Sequence, residues 1–221
     1  MILLALLLQA APAPTCPNPD ALPAAAARGR CTGVAYAAAT RWREAALAFE
    51  GAAKLVNDAK GADLWAQAGN AWLAAGEPAK AGAALDAAIV WSESKSDFDK
   101  GELRIDRARA AVAAGDLDAG RTVLDQALVA VPSDPLAWLL SATLARRMGQ
   151  PARAAKDIAE ALKRAPDDAA VQLEAGNIAA RAGETERAKE RWADAARLQP
   201  EGQAGRAAAA ALAQFTAAGT P

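Results

Sequence analysis

Residues Pro151 to Pro166 read PARAAKDIAEALKRAP. Six alanines and six charged side chains share sixteen positions, and none of them is an obvious nucleophile or metal ligand. The stretch makes sense only beside its neighbours. Pro132, Pro166 and Pro200 stand 34 residues apart, as do Gly115, Gly149 and Gly183, and Ala127, Ala161 and Ala195. A fourth column of small residues, Gly120, Ala154 and Ala188, keeps the same step. Periods of 20–50 residues mark repeat architectures, in which no unit buries its apolar face alone.

Each column has a physical role. A glycine past the end of a first helix supplies the left-handed residue that stops it. A proline after a second helix forbids continuation. Small residues sit where two helices cross, because a larger side chain would hold the backbones apart. Bulk then returns one turn later, at Leu124, Ile158 and Trp192, to fill the groove. The segment Pro151–Pro166 is therefore a second helix, and its plainness is what close packing requires.

The pattern resembles the tetratricopeptide repeat (TPR) family, whose unit is a 34-residue helix-turn-helix. The match is fullest over Leu64–Ile89, where Trp65, Gly69, Trp72, Gly76, Ala81, Leu85 and Ala88 follow the family's order of large and small residues. Gly33, Tyr36, Ala45, Phe49 and Ala52 fit an earlier unit, with Thr40 standing where the helix-ending glycine belongs. The expected fold is all-α: a right-handed superhelical solenoid of five units at 26–61, 62–100, 101–134, 135–168 and 169–202, closed by a capping helix over 203–218. The extra length of the second unit falls in Ser92–Lys100, which extends a loop or the start of the next helix. Trp65, Trp72, Trp138 and Trp192 take core positions of the repeat, whereas Trp42 and Trp91 are expected to be partly exposed.

Composition agrees with a helical, non-catalytic protein. Of 221 residues about three in ten are alanine, the strongest helix former. The formal charge is −1, from 25 basic and 26 acidic side chains, without the basic excess that nucleic-acid binding needs. There is no histidine, which removes the commonest general base, the commonest metal ligand and every Ser-His or Cys-His pair. The acid pairs Asp116/Asp118 and Asp167/Asp168 fall in short turns, where aspartate caps helices. Neither a cofactor, a small-molecule substrate nor an enzymatic activity is expected.

Residues 1–13 read as an export signal, with the apolar run Ile2–Leu8 followed by Ala11-Pro12-Ala13 in the A-x-A form. No Lys or Arg precedes the run and Pro14 follows it, both departures from the usual pattern. A Pro-rich lead segment spans 14–25. Export places the chain in the periplasm or cell envelope; without it the protein is cytoplasmic. Cys16 and Cys31 are then either a disulfide, favoured by an oxidising compartment, or two separate thiols.

The resemblance implies that the first helices line a concave wall that receives an extended segment or helix of a partner protein. Projecting their outward columns gives Asn70 and Leu73 in the second unit, Arg109 and Val112 in the third, Thr143, Arg146 and Arg147 in the fourth, and Asn177 and Arg181 in the fifth. Asn can pair with a peptide backbone and Arg can grip a carboxylate through two parallel bonds. The Lys and Asn clamp used by chaperone-tail-binding members is not matched: Ala66 stands in the Lys position, and Glu102 and Asp106 would repel a carboxylate. The alternative is a structural subunit that packs through its convex or C-terminal surface.

Overall fold

The computed structural model describes residues 21–217. The signal at 1–13, the lead segment as far as residue 20, and Cys16 of the proposed disulfide lie outside the described residues. Cys31 itself is half-buried on the first helix.

The described chain is helical throughout: α1 Ala24–Ala38, α2 Trp42–Ala53, α3 Ala59–Ala74, α4 Pro78–Trp91, α5 Asp97–Ala113, α6 Leu117–Ala130, α7 Pro135–Arg147, α8 Pro151–Arg164, α9 Ala169–Arg181, α10 Thr185–Leu198 and α11 Gln203–Ala217. Consecutive helices pack as five hairpins, α1/α2 to α9/α10, and each hairpin stacks on the next; α11 covers the open side of α9 and α10. From α3 onwards the first helices touch one another in succession, α3 to α5, α5 to α7, α7 to α9 and α9 to α11. No two second helices approach comparably, so the stack curves toward its first helices. This is an all-α solenoid with a capping helix.

One turn geometry recurs five times. Gly76, Gly115, Gly149 and Gly183 have φ of +72°, +86°, +68° and +77°. In each case the next N–H reaches back to close the helix: Glu77 N donates to Trp72 O at 2.9 Å, Asp116 N to Ala111 O at 3.0 Å, Gln150 N to Ala145 O at 2.9 Å and Glu184 N to Ala179 O at 2.9 Å. These are Schellman closures, which satisfy carbonyls orphaned at the helix end. The first unit makes the same bond, Arg41 N to Tyr36 O at 2.9 Å, but with Thr40 at φ +56°. At the opposite edge the first helices of units 2 to 5 start on a side-chain cap, whereas α1 follows Pro23 without one. Asp58 accepts from Lys60 N, Asp134 from Leu136 and Ala137 N, and Asp168 from Ala170 and Val171 N. Ser96 does the same for α5 through Asp99 N, and Asp116 caps the second helix α6.

Within every hairpin a large side chain of the second helix seats on a small residue of the first, sixteen positions earlier. The pairs are Gly33/Phe49, Gly69/Leu85, Ala108/Leu124, Ala142/Ile158 and Gly176/Trp192. A Cβ at Gly33 would meet Phe49 Cε1 at 2.6 Å, and one at Gly69 would meet Leu85 Cγ at 2.5 Å, so those two backbones can approach only because the position is glycine. All five large residues are buried. Each contributes roughly 1.5–3 kcal/mol of transfer free energy to its hairpin. Trp192 also meets Phe215 of α11 edge to face, with ring centroids 5.3 Å apart, which seals the last unit.

The tryptophans divide differently from the expectation. Trp72 and Trp192 are buried at 4% exposure each, but Trp65 and Trp138 are only half-buried, because their rings lie along the boundary between units. Cations cover them: Lys54 Nζ lies 6.0 Å from the Trp65 ring centroid and Arg164 Cζ 5.1 Å from that of Trp138. The Trp138 indole donates to Pro132 O at 2.8 Å. Trp91 ends α4 at 38% exposure, and Trp42 is half-buried. The residues of Ser92–Lys100 divide between a turn and an added N-terminal turn of α5. Lys95 pins that turn to Asp63 of α3 at 2.9 Å.

Candidate functional site: the wall of first helices

The nine residues projected onto the concave wall all lie on first helices, but the structure gives them different work. Asn70 donates from Nδ2 to Asp106 Oδ2 at 2.7 Å, and Arg109 donates from Nη1 to Asp106 Oδ1 at 2.8 Å. One carboxylate thereby joins α3 to α5. Two units on, in the same column, Glu174 does the equivalent for α7 and α9. Arg146 donates from Nε to its Oε1 at 2.6 Å and from Nη2 to its Oε2 at 3.1 Å. Asn177 adds a bond to Oε2 at 3.2 Å, while its own Oδ1 accepts from Trp192 Nε1 at 3.1 Å. Thr143 bonds back to Leu139 O at 2.9 Å within α7. Leu73 and Val112 are half-buried and pack on the cores of their units; Val112 covers Gly120, where a Cβ would lie 2.9 Å from Cγ2.

Arg147 and Arg181, 34 residues apart at the ends of α7 and α9, are exposed and make no ion pair among the described residues. Of the nine projected residues they are the two uncommitted cations. Asp106 and Glu174 were the residues that projection alone did not assign as ladder rungs. The signal was available, because they are 68 residues apart, two whole repeats, and so fall in one column of the first helices.

Toward α5 the wall turns acidic. Glu102 has its carboxyl pushed above the ordinary glutamate range, first by burial and then by the charges of Asp134, Asp106 and Asp99. Toward α9 the net charge of the free side chains is positive. The wall is thus acidic around Glu102 of α5 and carries cations unpaired among the described residues, Arg147 and Arg181, on α7 and α9. Among the described residues no cluster of three or more His, Cys, Asp or Glu side chains is placed to hold a metal ion. No described helix is long and apolar enough to cross a membrane.

Two models of the tetratricopeptide repeat match the sequence, one over residues 101–144 and one over 139–205. Residues 101–205 belong to the tetratricopeptide repeat family. Solved TPR structures superpose on most of it at low identity. MamA 41-end from Desulfovibrio magneticus RS-1 gives a TM-score of 0.67 at 16% identity, covering 83% of this chain and 99% of that one. PilW, described as a widely conserved type IV pilus biogenesis factor, gives 0.67 at 17%, covering 82% and 81%. YrrB, described as a TPR protein with an unusual peptide-binding site, gives 0.57 at 18%, covering 79% and 86%. Among curated proteins none matches in sequence. At these identities the likeness establishes the TPR fold, and the function has to be argued from the surface of this array.

Proposed function

We propose that this TPR array is a non-catalytic scaffold that binds an extended or helical segment of a partner protein along the wall of its first helices, in the cell envelope. The observation that carries the reading is the wall itself. Its rungs are tied to one another through Asp106 and Glu174, so the surface is rigid before a partner arrives and little ordering free energy is lost on binding. Arg147 and Arg181 remain available for an acidic group on the partner. The peptide-binding site named for YrrB and the pilus-biogenesis role named for PilW are consistent with this use of the fold. The envelope assignment rests on the apolar run Ile2–Leu8 and the A-x-A sequence after it.

Site-specific photo-crosslinking in the native host separates wall from outer surfaces. A photoreactive residue at Thr143 or Arg147 is expected to yield a discrete adduct, lost when Arg147 and Arg181 are both changed to Glu. Adducts formed only from outer positions would reject the reading. Export is checked by fusing alkaline phosphatase after residue 23, where an inactive fusion places the chain in the cytoplasm.

One observation favours the structural-subunit alternative. Val90, Trp91, Phe98, Val129 and Leu136 are exposed large apolar residues, and all lie where a second helix ends or the next first helix begins. They form a row along one edge of the array. If that row packs permanently into a larger assembly, photoreactive residues at Val90 and Val129 give the adducts and those on the wall do not.

A further inference from the structure

Of the three slots that follow units 2, 3 and 4, each bounded by a second helix and the first helix after it, two are plugged and one is open; the slot after unit 1 is closed by buried alanines, Ala46 against Ala68. Between units 2 and 3 the plug is Arg107 of α5. Its guanidinium lies over Gly82 of α4, whose added Cβ would be 3.5 Å from Arg107 Cζ, and its Nε donates to Asp86 Oδ1 at 2.7 Å. Between units 3 and 4 the plug comes from the other side. Arg121 of α6, buried at 8% exposure, donates to Ser141 O of α7 at 3.4 Å and to Asp125 Oδ1 at 2.7 Å. In repeat register Gly82 and Arg121 are one position, Asp86 and Asp125 another, and Arg107 and Ser141 a third.

Between units 4 and 5 those three positions are Ala155, Ala159 and Ala175. Both the guanidinium and its carboxylate are gone, and Ala182 replaces Met148, which packs against the core of the preceding slot. The space they leave is a pocket of about 300 Å³. Its floor is apolar, built from Ala154, Ile158, Leu162, Ala175, Ile178 and Ala179. Its rim carries Arg146, Arg181, Arg187 and Glu184. Arg146 is neutralised by Glu174 and Arg187 by Glu184 at 2.9 Å, which leaves Arg181 as the lining charge without an opposite partner among the described residues.

We propose that this pocket is a binding site for a large apolar side chain adjoining a carboxylate, presented by a partner peptide: the apolar group takes the volume that arginine plugs occupy in the two preceding slots, and the carboxylate pairs with Arg181. A cationic plug supplied by the partner is disfavoured, because the acidic position at Asp86 and Asp125 has become Ala159 and the unpaired rim charge is positive. The proposal rests on the reading of the array as a segment-binding scaffold. It adds where the anchor enters and what chemistry it has.

The test uses the full chain with labelled Ile, Leu and Val methyl groups, titrated by NMR with acetyl-Gly-Ser-Leu-Asp-Gly amide, its Asp→Asn and Leu→Ala analogues, and acetyl-Gly-Ser-Gly-Leu with a free or amidated terminus. The expected result is saturable movement of the Ile158 and Ile178 methyls, at least about fivefold weaker for the Asn analogue and absent for the Ala analogue. Comparing the internal Asp with the free terminus identifies which carboxylate is preferred. Arg181→Gln should weaken the Asp peptide about fivefold and leave the Asn peptide unchanged. Ala155→Arg, at an exposed helical position, should abolish binding by plugging the slot. Still methyls at Ile158 and Ile178, or binding indifferent to both substitutions, overturns the proposal. Leu73 and Val112 report on the wall separately. Movement there with a silent pocket sinks this inference alone and leaves the wall reading standing.

Discussion

Arg146 and Glu174 lock α7 to α9 through two parallel hydrogen bonds, 2.6 and 3.1 Å, across the concave wall. The Glu174 side chain is only 8% exposed, so removing its partner leaves a nearly buried carboxylate with Asn177 alone. Arg146→Ala should therefore cost about 2–3 kcal/mol in urea denaturation, most of it the penalty of the stranded charge. The double substitution Arg146→Ala/Glu174→Gln should recover a large part of that loss. Arg147→Ala, one residue away and unpaired, should stay within about 0.5 kcal/mol of the parent. Equal losses at 146 and 147 would show that the pair does not hold the wall.

The contrast between those adjacent arginines marks how far sequence reading could go. Periodicity identified every helix hairpin because Gly, Ala and Pro columns are packing and stopping devices that act within a unit. The work of Arg146 depends on an acid 28 residues away in the next unit, and the work of Asn70 on one 36 residues away. Polar wall residues look alike in sequence whether they are free or already paired. Arg107 and Arg121 are a sharper case, since the two plugs sit in different repeat positions and converge only in space. The same limit applied to Trp65 and Trp138, which occupy core columns but lie at unit boundaries and stay half-exposed.

Thr40 adopts φ +56° at a position where the other four hairpins use glycine. A β-branched residue there pays roughly 1–2 kcal/mol of backbone strain. Its hydroxyl recovers little, since its one bond is to the carbonyl of Ala39, and the side chain is exposed. Thr40→Gly should raise stability by about 1 kcal/mol, after the extra freedom glycine gives the unfolded chain is subtracted. In thermal melts that appears as a rise of a few degrees. Gly149→Ala is the reciprocal test, with no steric neighbour within 4 Å and only the φ of +68° against it, and should lose about 1 kcal/mol.

Gly69 faces Leu85 across the strongest-matching hairpin, and a Cβ would stand 2.5 Å from Leu85 Cγ and 3.1 Å from Cδ1. Leu85 is fully buried and has no room to swing away. Gly69→Ala should accordingly destabilise by about 1–3 kcal/mol, even though alanine is the better helix former. Adding Leu85→Ala relieves the clash, so the two losses should be far from additive in a double-mutant cycle. Gly51→Ala supplies the control: a Cβ there meets nothing within 4 Å, and the change should be neutral or stabilising.

Glu102 gives the wall a pH dependence of definite sign. Burial foremost, then Asp134, Asp106 and Asp99, raise its carboxyl above the ordinary glutamate value. The folded chain therefore holds the Glu102 proton more tightly than the unfolded chain does. As pH rises from the unfolded value near 4 through the raised folded value, ionisation is penalised only in the folded state, and this group's contribution to stability falls. Glu102→Gln removes the ionisation while keeping the shape. It should stabilise the array slightly at pH 7, and the gain should vanish toward pH 4, where the native carboxyl is already protonated. Chemical denaturation of both proteins across pH 4 to 8 checks this. A difference that is constant over that range, or that grows as the pH falls, would place the acidic patch elsewhere than around Glu102.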